Sequence, residues 1–395
     1  MNNVQNTIVN PTNDSLIQFA NVVEQIGSTT KRLEKAAILG SYFASLSDQD
    51  LIYAARYSAG YSFPLTDQRT INVGGASLLS ALATVADVDP NLLKTELVKL
   101  GDLGDVAVVV LANMSTKTLT NQPASGLTLA DLAAALDKLA QTQGAKRKQE
   151  QLIALLQQAT PLEAKYLIKQ LSGDLRIGLR EGAVEDALAR LSDQPVARIQ
   201  WVNMLLGDIG KTAVLARHHQ LDQAKMQLFH PIKFMLASPI EDLTELILTE
   251  AALNQTTDQE PVSADRFAIE DKYDGIRAQV HIASAVDAVA LHGIVCDGVR
   301  VALFSRTLDE ITQSFPDLIT PVAALHTSNE TELILDGEIV PFQGKQILPF
   351  QALQKRLGRK TISEQLLAEV PVAFVAYDLL YCNGAILIDQ PYSKR

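Results

Sequence analysis

Two cysteines in 395 residues, Cys296 and Cys382, are too few for a zinc-binding set and lack metal-ligand spacing, and a chain of this size needs no disulfide stapling. Free buried thiols in a reducing, cytoplasmic setting are the reading that fits them. Long apolar runs are also missing. The richest stretch, Val106 to Ala112, falls well short of the ~18–20 residues that cross a bilayer, so no membrane partner is expected. The opening residues, MNNVQNTIVNPTNDS, lack the basic and apolar regions of a secretory signal. There is no internal repeat and no low-complexity tract. An excess of positive charge is absent as well, the net being -11. That deficit is uneven: residues 1–225 hold 21 Lys+Arg against 22 Asp+Glu, and residues 226–395 hold 13 against 23. The first half is therefore near neutral, with cations clustered at Lys146-Arg147-Lys148 and at Arg176 and Arg180. Phosphates sense such clusters rather than the total, because screening acts beyond roughly 8–10 Å.

What is present is the balance of a folded protein, 47% hydrophobic and 20% charged, at a length that suits two or three domains. Residues 15 to about 225 read as successive helices. Leu16, Phe19, Ala20, Val23 and Ile26 follow helical spacing, as does Ala36 to Phe43. Asp89-Pro90-Asn91 marks a helix entry, and Gly101-Asp102-Leu103-Gly104 punctuates the next step. Thr128 with Asp131, and Thr160 with Glu163, have the spacing of capping boxes for helices over 129–140 and 164–171. The texture changes near Phe229-His230-Pro231. Strands are predicted over 266–270, 278–282, 299–305, 332–340 and 372–381, with a helix over 351–357 and a loop over 283–298. The expected fold is an all-α domain, 1–225, followed by an α+β domain with antiparallel sheets, 226–395.

The sharpest local signal is Glu270-Asp271-Lys272-Tyr273-Asp274-Gly275-Ile276-Arg277, a lysine between a strand and a glycine turn. Alone it is also a plain surface turn. Three further elements follow in order: Phe304-Ser305-Arg306, Asp336-Gly337-Glu338 and Ala376-Tyr377-Asp378. A free lysine, with a pKa near ~10.4, is protonated at neutral pH, and a nucleophilic one needs partial burial or neighbouring cations. Arg277 and Arg306 are the cations at hand, and both suit phosphate oxygens.

The ordered set K-Y-D-G-x-R, F-S-R, D-G-E and A-Y-D resembles the covalent nucleotidyltransferase superfamily of DNA ligases, RNA ligases and mRNA capping enzymes. The resemblance implies that Lys272 attacks the α-phosphorus of ATP and retains AMP as a phosphoramidate, with Mg2+ on the phosphates. It further implies that Glu270 helps read adenine, Arg277 contacts sugar and phosphate, and Arg306 lies near ATP or nick phosphates. Glu338 is matched to the acid that contacts ribose or metal, and Tyr377 to the ring that stacks on the base.

The helical half resembles the DNA-binding domain of ATP-dependent DNA ligases, at residues 17–46, at Gly101 to Ala107, and at Gly173-Asp174-Leu175-Arg176-Ile177-Gly178-Leu179-Arg180-Glu181-Gly182. In the last segment glycines admit close approach to phosphates, and Arg176, Gly178 and Arg180 are the candidate DNA contacts. An ordinary interhelical turn is the alternative. The implied partner is nicked double-stranded DNA, bound by a monomer, nucleoid-associated in a prokaryote, in replication, repair or recombination. Lys355-Arg356 and Arg359-Lys360 form a basic edge that serves equally as phosphate contact or solvated helix. The family pattern continues past Arg395 with an E-G-x-x-x-K element, a lysine-rich strand and an OB-fold domain. On that reading the chain is C-terminally truncated and adenylylates slowly or not at all. A non-catalytic nick-binding remnant and an RNA ligase stand as alternatives.

Overall fold

The computed structural model describes residues 12–115, 126–173, 175, 179–234, 239–240, 242, 268–285, 292–326, 332–344, 346–357, 359 and 361–395. The chain divides into two compact units, Met1–His230 and Pro231–Arg395, a few residues past the expected 225/226.

The described part of the first unit is helical: α1 (Leu16–Gly27), α2 (Arg32–Ala44), α3 (Asp48–Ser58), α4 (Gly75–Ala86), α5 (Pro90–Leu100), α6 (Leu103–Ser115), α7 (Leu129–Gln141), α8 (Ala145–Gln158), α9 (Pro161–Ser172), α10 (Glu181–Ser192), α11 (Val196–Leu206) and α12 (Ile209–Arg217). Local chemistry sets the helix starts. Thr128 accepts from the Asp131 amide while the Asp131 carboxylate accepts from the Thr128 amide, and Thr160 and Glu163 repeat the exchange. Pro90 and Pro161 occupy first-turn positions, where a missing N–H costs nothing. Helical spacing puts Leu16, Phe19, Val23 and Ile26 on one buried face of α1, in a core shared with Leu39, Leu51, Leu82 and Leu167. Polar contacts fasten the helices to each other. Arg56 of α3 forks onto Asp208, which caps α12, at 2.9 and 2.7 Å. Lys165 and Tyr166 of α9 both reach Glu24 of α1.

Among the described residues of the second unit seven strands form one antiparallel sheet: β1 (Ile276–Ser284), β2 (Ile294–Cys296), β3 (Val299–Ser305), β4 (Leu333–Gln343), β5 (Gln346–Ile347), β6 (Val372–Cys382) and β7 (Ala385–Ile386). Their order is β2-β3-β1-β4-β6-β7, with β5 on β4. Alternation along β1 puts Ala278, Val280 and Ile282 into a core with Leu303, Ile339, Phe315, Leu318, Ile319 and Leu353. The intervening residues, Arg277, Gln279 and His281, belong to the opposite face. There Gln279 exchanges two hydrogen bonds with the backbone of Ile232, at 3.0 and 2.6 Å.

Several elements differ from expectation. The stretch 283–298 is not simply a loop, because β2 pairs with β3 through Asp297-Gly298, both at positive φ (49° and 79°). That geometry matches the right-handed twist of a two-residue hairpin. Of the strand predicted over 266–270, the described residues 268–270 are irregular, and 266–267 lie outside the described residues. The helix predicted over 351–357 is shorter, Gln351–Gln354. Arg356 is no basic edge: it is fully buried, paired with Asp317 at 2.5 Å and donating to the Val370 carbonyl at 2.9 Å. Both cysteines are free. Among the described residues no helix is long and apolar enough to cross a membrane.

Candidate active site

The K-Y-D-G-x-R, D-G-E and A-Y-D elements meet on β1, β4 and β6. Arg277 and Glu338 are cross-strand partners, so both side chains leave the same face of the sheet. Asp336, two residues before Glu338, shares that face by the period of the strand. Arg277 grips it with Nη2 at 2.7 Å and Nε at 3.2 Å. The ring of Phe234 lies on the guanidinium, 4.5 Å from centroid to Cζ. On β6 the register shifts between the Asp336–Asp378 and Gly337–Ala376 pairs, leaving Tyr377 as the extra residue of a bulge. A bulge re-aims its side chain, and the Tyr377 hydroxyl reaches toward Asp336 at 3.5 Å.

Two glycines hold this arrangement close. A Cβ on Gly275 would overlap the Ile339 carbonyl, and one on Gly337 would overlap the Phe374 ring and the Val375 carbonyl. The Gly275 amide also donates to Glu338 Oε1 at 3.2 Å, joining the lysine loop to β4.

The electrostatics follow from burial. Asp336 is only 5% exposed, and burial raises its pKa, helped by Asp378; the Arg277 pair opposes this without cancelling it. Burial likewise raises Glu338, against the Gly275 hydrogen bond and the positive charges of Arg277 and Lys272. Burial raises Tyr377 too, so its hydroxyl stays protonated. Lys272 itself is exposed, contrary to the partial burial expected. Its charge acts on Glu338, as that of Arg277 does.

The remaining predicted residues are placed less centrally. Arg306 is exposed on the turn after β3, where Ser305 pairs with Ala278, and its side chain has no hydrogen bond or ion pair among the described residues. Glu270 is exposed and accepts a hydrogen bond from Tyr392. Arg180 is exposed at the N-cap of α10, while Arg176 and Gly178 lie outside the described residues. Of the cluster in the first turn of α8, Lys148 is committed to the Ile71 carbonyl. Lys360 lies outside the described residues.

Asp336, Phe234 and Tyr392 also belong to the site, beyond the residues that the motifs singled out. For Asp336 the signal was present, since strand alternation puts it beside Glu338. No local pattern marked the other two.

Among the described residues no group of three or more His, Cys, Asp or Glu side chains could hold a metal ion. Asp336 is engaged by Arg277, which leaves Glu338 as the carboxylate to offer. One carboxylate with phosphate oxygens and water is a donor set that suits Mg2+.

Two family models match the chain, "DNA ligase N terminus" over residues 15–189 and "ATP dependent DNA ligase domain" over residues 234–395. A protein of Koribacter versatilis named "Probable DNA ligase" is 38% identical over 377 residues, 95% of this chain and 59% of the relative. A second "Probable DNA ligase", from Opitutus terrae, is 34% identical over 97% of this chain and 40% of its own length. The "DNA ligase" of Methanothermobacter thermautotrophicus is 29% identical over 96% of this chain and 63% of its own length. The chain thus spans 40 to 63% of the length of these relatives. Matched by one ligase model in its helical unit and by another in its sheet unit, the chain belongs to the ATP-dependent DNA ligase family.

Proposed function

We propose that the second unit transfers AMP from ATP to Lys272, and that a protein of the relatives' full length seals nicks in duplex DNA with it. The observation that carries this reading is the single sheet face bearing Arg277, Asp336, Glu338 and Tyr377, with Lys272 within electrostatic reach of Glu338. In the first step Lys272 Nζ, having lost a proton to solvent, forms a bond to the α-phosphorus as the bond to pyrophosphate breaks. AMP then passes to the 5′-phosphate of the nick, and the adjacent 3′-hydroxyl displaces it to close the strand.

The neighbours have distinct tasks. Tyr377, re-aimed by its bulge, offers a ring face to adenine. Glu270 accepts from the base. Arg277, its Nε and Nη2 fixed on Asp336 and its guanidinium against the Phe234 ring, holds a positive charge in place for sugar and phosphate. Arg306, at the edge of the site, is free to follow the ATP or nick phosphates. Mg2+, when bound through Glu338, neutralises charge on the phosphates. Exposed Lys272 makes the site open as it stands, and the bound triphosphate supplies the cover. In the first unit Arg176, Gly178 and Arg180 meet the DNA backbone without reading its sequence, which suits a monomer acting on nicks wherever replication, repair or recombination leaves them.

The test uses the chain extended through the remaining part of the Koribacter relative. With ATP and Mg2+ it should seal nicked DNA duplex and leave nicked RNA open, and Lys272→Arg should abolish sealing. Binding to nicked DNA without sealing would mean a non-catalytic nick-binding protein, and sealing of RNA alone would mean an RNA ligase.

A further inference from the structure

Glu270 stands on the irregular segment ahead of Lys272, outside the sheet ladder and exposed. A carboxylate in that setting has many rotamers open to it, and fixing one costs conformational entropy. Tyr392 supplies the constraint. Its hydroxyl donates to Glu270 Oε1 and lies 2.6 Å from the Tyr377 carbonyl. The ring is in turn held by Arg395, whose guanidinium is 5.4 Å from the ring centroid and pairs with Asp378 of β6. One tyrosine thereby ties the segment of Glu270 to the bulge that carries Tyr377. The hydroxyl takes one of the roughly four acceptor sites of an ionised carboxylate, so Glu270 can keep this bond while it accepts from a ligand. Glu270 pushes the Tyr392 pKa up to about 12, which keeps the hydroxyl a donor at neutral pH.

We propose that Tyr392 is a positioning residue for base selection, aiming the Glu270 carboxylate at the exocyclic amine of the nucleotide. The proposal rests on the nucleotide-binding reading above. An ionised carboxylate only accepts hydrogen bonds, so it favours a base that presents an amine at that edge and disfavours one that presents a carbonyl. Adenine has the amine at the position where guanine has the carbonyl.

Dissociation constants for labelled ATP and GTP, measured by equilibrium dialysis in EDTA to prevent turnover, test this directly. Tyr392→Phe keeps the ring and its Arg395 contact and removes only the hydroxyl. It should weaken ATP binding roughly three- to tenfold, the scale of one hydrogen bond, and leave GTP binding and the melting temperature unchanged. In a Glu270→Ala background the same change should have no further effect on ATP binding. Unchanged ATP affinity, or equal weakening of ATP and GTP, would overturn the proposal. So would tighter ATP binding, which would mean that the hydroxyl competes with the base. Failure of the unmodified chain to bind ATP would instead remove the nucleotide-binding reading, and this proposal with it.

Discussion

Gly337 separates Asp336 from Glu338, the two acids of the site, and its missing side chain is what lets β6 approach. Gly337→Ala should lower stability by about 2 kcal/mol or more, the scale of an overpacked core, because the new methyl meets the Phe374 ring and a backbone carbonyl. Urea denaturation measures it, and a loss within experimental error would mean the strands separate at no cost. At this scale the sequence was informative where chemistry is local. Lys272, Arg277, Glu338 and Tyr377 were singled out by motif, and three of the four share one sheet face, with Lys272 acting on it from the loop. Arg356 shows the limit. Next to Lys355 it reads as surface charge, yet its fork is buried against Asp317 and the Val370 carbonyl, partners that lie far along the chain in both directions. Nothing in its neighbours specifies that burial. Tyr392 was invisible for the same reason, since its partners are Glu270 and a backbone oxygen of the β6 bulge.

Elements were most legible where their start signals are self-contained. The capping pairs Thr128–Asp131 and Thr160–Glu163 need no tertiary information, and both form as the spacing indicates. The β2–β3 hairpin was missed although Asp297-Gly298 is a strong turn signal, because the apolar run Ile294–Cys296 is too short to announce a strand by alternation. The bulge at Tyr377 depends on the register of two strands and cannot be read from either alone.

The junction of α1 and α9 offers a test at this scale. Burial pushes the Glu24 carboxyl up, but hydrogen bonds from Lys165 and Tyr166, with the charges of Lys165 and Lys169, outweigh it and hold the pKa below its ordinary value. A depressed carboxylate stabilises the fold above its unfolded pKa, and that contribution disappears as pH falls through the folded value. Glu24→Gln should therefore lower the melting temperature at neutral pH, and its deficit against the unmodified chain should close as pH falls below the ordinary carboxylate range. A deficit independent of pH would assign the loss to packing instead.

For the whole molecule the charge is instructive. A net of -11 argues against a polyanionic partner, yet the acidity belongs mainly to residues 226–395, with 13 Lys+Arg against 23 Asp+Glu. The helical unit is close to neutral and is matched by the family model named for a ligase N terminus. That distribution spares the helical unit a net repulsion from phosphates, which the DNA binding proposed above requires. The central claim is the identity of the nucleophile. After incubation of the extended protein with ATP and Mg2+, proteolysis and mass spectrometry locate the covalently bound AMP. The account predicts that it sits on the peptide containing Lys272, and that Lys272→Ala leaves the protein unmodified. AMP on any other residue, or a modification that survives Lys272→Ala, would contradict it.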